Sequence, residues 1–88
     1  MEKLHVVTTV SNGIIQVLLD DVVILNGSGE RTVEGLNVGE KFILTWFVKG
    51  AAGSTYSVKV DSPDSAKTSV KKTLGSGGKD FGGFTFRP

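Results

Sequence analysis

Glycine, lysine and aromatic residues concentrate in one late stretch, Gly75 to Phe86, GSGGKDFGGFTF. Such residues can do two kinds of chemistry. A glycine-rich loop ending in lysine can cradle phosphate with backbone amides, and a strand of spaced aromatics can stack nucleobases. A phosphate loop needs glycine five residues before its Gly-Lys pair and a Ser or Thr directly after the lysine. Here Thr73 holds the first position and Asp80 the second. Asp80 therefore places a carboxylate where phosphate oxygens would approach, and no helix follows to offer its N-terminal amides. The spacing Gly-x-Gly-x-x-Gly also fails, because Asp80 comes third after Gly75 and Gly77. The base-stacking pattern is matched by Lys79, Phe81, Gly82 and Phe86, but Gly83 stands where a stacking aromatic is required. Phe84 is displaced by one residue, and in a strand that displacement moves a side chain to the opposite face. Phe84 and Phe86 then share a core-facing side. Phe81 either packs in the core or against a loop, which is the favoured expectation, or stands out as an exposed anchor.

Other residues able to do chemistry are sparse. There is no cysteine, so disulfides, thiolate catalysis and thiolate metal sites are excluded. The single histidine, His5, has no nucleophile that the sequence places beside it and is expected to be structural or on the surface. Asp20-Asp21 and Asp61-Ser62-Pro63-Asp64-Ser65 offer two carboxylates each, fewer oxygens than calcium demands, and suit turns better. No cofactor, metal site or catalytic group is therefore expected. Lys67 and Lys71 share one face of an extended segment, with Lys72 on the other. They form either a modest anion patch or the charged guard of an exposed edge strand, and the guard is favoured.

The elements that must position these residues follow a period of two. Tyr56, Val58 and Val60 alternate with Thr55, Ser57, Lys59 and Asp61, which predicts a half-buried strand. In EKFILTWFVKG, Phe42, Leu44, Trp46 and Val48 form one apolar face. The other face is mixed, with Ile43, Thr45 and Phe47 between lysines, so a central strand partly covered on its second side is expected. KLHVVTTV and IIQVLL are rich in β-branched residues, and Ser11-Asn12-Gly13 between them predicts a tight hairpin. Asn26-Gly27-Ser28-Gly29 is a second such signal, and Asp20-Asp21 is a turn or a bulge. AKTSVKKTL and FGGFTFRP supply two more strands, and no window carries a capped helical period.

Length and composition set the frame. Eighty-eight residues with 39% apolar content suit one domain, residues 1–88, with one modest core. The longest apolar run is far shorter than the roughly 20 residues that span a bilayer, and the first residues lack the features of a signal peptide. The expectation is a cytoplasmic protein, or a module excised from a larger exported one, without membrane insertion. Net charge is +1 but unevenly spread. Residues 1–44 hold three Lys/Arg against six Asp/Glu, a net of −3, and residues 45–88 hold seven against three, a net of +4. Such asymmetry marks either an anion-binding face or a mixed solvated surface.

Gly35 to Val60, GLNVGEKFILTWFVKGAAGSTYSVKV, resembles the strand–turn–strand stretches of immunoglobulin-like and fibronectin type III-like domains. Leu36 and Gly39 stand at the turn that introduces a long strand, and Gly50 to Gly53 form the loop toward Tyr56. The resemblance implies Trp46 as a core residue and a non-catalytic adhesion, spacer or binding module. The expected fold is all-β, a two-sheet immunoglobulin-like sandwich of about seven mostly antiparallel strands. The expected function is a non-catalytic structural or protein-interaction module, joined to another protein or to a second copy through an edge strand. The alternative is a small carbohydrate- or polyanion-binding domain; nucleic acid is disfavoured by the lost stacking platform. Phe47, Lys67, Lys71, Lys79 and Phe81 are the candidate contacts.

Overall fold

The computed structural model describes residues 2–88. Its strands are β1 (Glu2–Val10), β2 (Gly13–Leu19), β3 (Val22–Asn26), β4 (Gly29–Leu36), β5 (Phe42–Gly50), β6 (Thr55–Ser62), β7 (Thr68–Thr73) and β8 (Lys79–Phe86). A single 3-10 turn, Asp64–Ala66, lies between β6 and β7. The strands form two four-stranded sheets, ordered β4-β1-β6-β7 and β3-β2-β5-β8, and every pairing is antiparallel. The fold is thus the expected all-β two-sheet sandwich, with eight strands where about seven were expected.

The two strand orders match pair by pair. β1 and β2, β3 and β4, β5 and β6, and β7 and β8 each leave one sheet and enter the other, so the chain is four arches laid side by side. All four bends (residues 11–12, 27–28, 51–54 and 74–78) fall at one end of the sandwich, hereafter the bend end. Hydrogen bonds carry the ladder around it: Ser11 N donates to Thr55 O at 2.9 Å, Ala51 N to Asn12 O at 3.1 Å and Gly50 N to Gly78 O at 2.8 Å. Neighbouring arches approach closely there. A Cβ on Gly13 would collide with the backbone of Lys49 and Gly50, and one on Gly50 with that of Asn12 and Gly13.

Two turn expectations are corrected by this topology. Asn12-Gly13 and Asn26-Gly27 do not close hairpins, because the strands they join lie in different sheets. Glycine serves the close approach of neighbouring arches at position 13 and a positive φ of 99° at position 27, not a two-residue hairpin. The hairpin turn near the N-terminus is Asp20-Asp21, between β2 and β3, where both residues have positive φ (49° and 68°). This is the sign pattern of a type I′ turn, which matches strand twist, and Asp tolerates it better than most residues. The Asp20 carboxylate also accepts the Ile43 N–H at 2.8 Å, tying the turn to β5.

One core fills the space between the sheets. Leu4 and Val6 on β1, Ile15 and Val17 on β2, Leu44 and Trp46 on β5, and Tyr56, Val58 and Val60 on β6 are buried. The alternating faces predicted for β5 and β6 are those observed. Phe86 is buried and stacks on Phe42 at 5.7 Å, and half-buried Phe84 meets Trp46 edge-on at 6.3 Å. Gly82 leaves room for the Trp46 ring, and Gly83 for the backbone of β5. A Cβ on Gly82 would sit 2.6 Å from the Trp46 ring, and one on Gly83 would sit 2.6 Å from the Leu44 carbonyl oxygen.

Candidate functional site

Each sheet turns one face to the core, and the two outward faces differ in chemistry. On the β4-β1-β6-β7 sheet most outward residues are polar, and several are paired with one another. Lys3 lies 3.4 Å from Glu34, Lys59 lies 3.7 Å from Asp61, and the Thr9 and Ser57 hydroxyls share a hydrogen bond at 2.6 Å. His5 sits among them, with Nδ1 2.8 Å from the Asp61 carboxylate and Nε2 3.1 Å from that of Glu30. Those two hydrogen bonds, Asp61 first, raise the His5 pKa above 6.5, and the bond to His5 lowers that of Asp61. The sequence expectation of a surface histidine holds, but its partners come from β6 and β4 and only strand pairing brings them near.

The outward face of the β3-β2-β5-β8 sheet is apolar. Ile14 on β2, Ile43 and Phe47 on β5, and Phe81 on β8 are 61%, 46%, 53% and 73% exposed. Phe47 and Phe81 are direct cross-strand partners, with ring centroids 6.4 Å apart and planes inclined by 30°. They form the floor of an open groove of about 420 Å³, which Ile14 and Gln16 flank on one side and Lys49 and Lys79 close at the bend end. Lys49 and Lys79 are themselves cross-strand partners. Two expectations are corrected here. Nothing among the described residues covers the second face of β5, and Phe81 packs neither in the core nor under a loop.

At the edge of the groove lies a part-buried polar link between the sheets. The Tyr56 hydroxyl, from β6, donates to the Asp80 carboxylate on β8 at 2.5 Å, and Asp80 also accepts the Phe81 N–H at 2.9 Å. Burial pushes the Tyr56 phenol up to about 12, with the bond to Asp80 adding to the rise. The same bond, and then the Phe81 N–H, lowers the Asp80 carboxyl. The Trp46 indole N–H is near enough to the hydroxyl to oppose the rise, yet it closes no hydrogen bond among the described residues. Asp80 thus braces the start of β8, behind Phe81, and is not a free carboxylate in the groove.

Of the five candidate contacts, Phe47, Lys79 and Phe81 come together in this groove. Lys67 and Lys71 do not join them. Lys67 follows the 3-10 turn and Lys71 is on β7, in the other sheet. Ile14, Gln16 and Lys49 complete the groove without having been foreseen. The only hint was that IIQVLL is apolar at both strand phases, as expected for a strand with apolar residues on both faces. Their meeting with Phe47 depends on β2 pairing with β5, which no local signal specifies.

No helix among the described residues is long and apolar enough to cross a membrane. Comparison of the chain with protein-family models, with curated proteins and with solved structures finds no match.

Proposed function

We propose that the chain is a non-catalytic protein-interaction module of the immunoglobulin-like or fibronectin type III-like kind, binding through the outward face of the β3-β2-β5-β8 sheet. The kinship rests on architecture: two antiparallel sheets around a buried Trp46. The observation that carries the function is the contrast between the faces. One sheet presents mostly polar side chains outward, several of them ion-paired, while the other leaves Ile14, Ile43, Phe47 and Phe81 open to water. Scattered apolar residues are ordinary on surfaces, but a contiguous set around an aromatic pair marks a contact site. Phe47→Ser with Phe81→Ser removes the centre of the face without touching the core. Affinity capture should retain a partner with the original chain and lose it with this variant, once circular dichroism shows both folded. An identical captured set from both chains would refute the assignment.

A second function, binding of carbohydrate or a polyanion, has its own support in the Phe47–Phe81 pair beside Lys49 and Lys79. Aromatic faces can stack on sugar rings, and the two ammonium groups would attract anionic substituents. Titration with soluble glycans and heparin should shift the amides of residues 47–49 and 79–81. Unmoved amides at millimolar ligand would dismiss it.

A further inference from the structure

The order of the arches turns the sequence's charge asymmetry into a left–right asymmetry of the molecule. Strands β1 to β4 occupy one half of both sheets and β5 to β8 the other. One lateral side therefore ends in edge strands β3 and β4, and the opposite side in β7 and β8. Glu30 and Glu34 are exposed on β4, Arg31 being its one cation, and Asp20-Asp21 form the turn into β3. Lys71 and Lys72 are exposed on β7, with Lys67 just before it, and Lys79 opens β8 while Arg87 follows it.

We propose that these two sides bind each other between copies, so that one chain's β7 and β8 edges add to the β4 and β3 edges of the next. The proposal rests on the chain being an interaction module, but not on an outside partner binding the outward face, of which it uses Phe81 alone and not Phe47. Chain direction permits it in both sheets at once. β8 runs away from the bend end and β3 toward it, while β7 runs toward the bend end and β4 away from it. A copy placed alongside, in the same orientation, thus meets antiparallel strands at both edges, the arrangement every other pair in the molecule already has.

Register supports the same placement. Ladder pairing sets Glu30 level with Ser69, through Val7 and Lys59, and sets Val23 level with Gly83, through Leu18 and Thr45. Moving the neighbouring copy two residues toward the bend end, about 7 Å, preserves which side chains face outward. That single offset puts Glu30 beside Lys71 in one sheet and Val23 beside Phe81 in the other. Val23 is 48% exposed and Phe81 73% exposed. One rigid displacement therefore satisfies a charge pair and an apolar pair on separate sheets.

The edges are also poorly guarded against this partner. β3 carries no charge, and β8 carries none from Phe81 to Phe86. Charged edge residues normally prevent strand addition. The β7 lysines do so against a second β7, where like charges would face each other, but they attract β4. Because the two surfaces are different patches, the contact is head-to-tail and does not close at a dimer.

Light scattering across a concentration series tests this. The original chain should form assemblies that grow with concentration past the dimer and shrink with added salt. Lys71→Glu with Lys72→Glu makes the β7 edge acidic like β4, and Glu30→Lys with Glu34→Lys makes the β4 edge basic like β7. Each variant alone should remain monomeric, and an equimolar mixture should assemble. Circular dichroism establishes that each is folded; if Glu30→Lys disturbs the fold through His5, Lys71→Gln with Lys72→Gln still shortens the assemblies. A monomeric original chain at about millimolar concentration, where a contact with a dissociation constant near 1 mM would already be visible, overturns the proposal. So does a mixture that stays monomeric, or charge-reversed variants that assemble as the original does. If Phe47→Ser abolishes assembly while the charge variants leave it intact, the edge contact is wrong and the outward-face function stands.

Discussion

Gly82→Ala is the substitution whose cost the geometry defines most sharply. Gly82 lies in β8 opposite Trp46, and its backbone is not in the left-handed region, so alanine can adopt it without φ strain. The obstacle is the indole. A Cβ at Gly82 would stand 2.6, 2.8 and 2.9 Å from three atoms of the Trp46 ring, where ordinary contact begins near 3.4 Å. The ring or the strand must therefore give by about 0.8 Å. Trp46 is held on its other sides by the core and by Phe84, so it has little room to retreat. Overpacking of this kind costs about 1–3 kcal/mol. Replacing glycine also restricts the unfolded chain, which returns about 0.4–1 kcal/mol. The net is a loss of about 1–2 kcal/mol, or a fall in Tm of about 5–15 °C for a domain this small.

Trp46 is the only tryptophan, so its fluorescence follows both unfolding and the disturbance at the site. Urea denaturation should show a lower midpoint with an unchanged slope. Gly75→Ala is the control: nothing lies within 4 Å of its Cβ position and its φ is not positive. It should be neutral or stabilising by up to about 1 kcal/mol. Combining Gly82→Ala with Trp46→Phe, followed by circular dichroism, should cost less than the sum of the two single changes, because the smaller ring vacates the space. A Gly82→Ala chain as stable as the original, or strictly additive effects in the double variant, would show that Trp46 does not press on β8 as described.

Four further outcomes are expected. Tyr56→Phe removes the hydroxyl that links the sheets and leaves Asp80 with only the Phe81 amide, so urea denaturation should show a loss of about 1–2 kcal/mol. In the original chain, absorbance titration should show no tyrosinate at pH 10 while the fold persists, since the phenol is pushed up to about 12. The raised His5 pKa means that its contribution to stability is complete below pH 6.5 and fades as pH rises through the higher folded value. Asp61, lowered, contributes above pH 3.8 and loses this as pH falls through its folded value. Tm should therefore be higher near pH 5.5 than near pH 8, and His5→Asn should flatten that slope; an unchanged slope would exclude the Asp61–His5–Glu30 arrangement as its cause. Asp21→Gly relieves a non-glycine residue at φ 68° in the β2–β3 turn and should raise stability by roughly 0.5–1 kcal/mol in thermal unfolding.

Some of this molecule was legible in the sequence because its cause is local. Alternation in EKFILTWFVKG and TYSVKV reports which side chains enter the core, since a strand has only two faces. The displacement of Phe84 relative to Phe81 was sufficient to put the two on opposite faces of the strand, but not to show that the face carrying Phe81 is open to water, since a second face can be covered by elements that only the tertiary fold places. Strand partnership was not legible. Asn12-Gly13 serves equally well for a hairpin or for an arch, and the difference lies in whether β1 pairs with β2 or with β6, some fifty residues away. The groove was half visible for the same reason. Phe47 and Phe81 announce themselves as aromatics in otherwise polar or glycine-rich settings, whereas Ile14 looks like any core residue until β2 is placed beside β5.

The arch topology also gives meaning to a sequence property that composition alone left ambiguous. A charge difference between the two halves of a chain has no structural consequence if later strands interleave with earlier ones. In this sandwich only β1 and β2, which pair with β6 and β5, cross the boundary, and they do so at the centre of both sheets. The acidic half is therefore confined to one flank and the basic half to the other. The lysines on β7, expected to guard an edge, carry the charge opposite to that of Glu30 and Glu34 on the other flank. In the proposed contact such an edge would discriminate by sign and register together. On the proposed contact, exchanging both Lys71 and Lys72 for glutamate should reverse that preference, whereas a single exchange leaves β7 with one charge of each sign and should only weaken it.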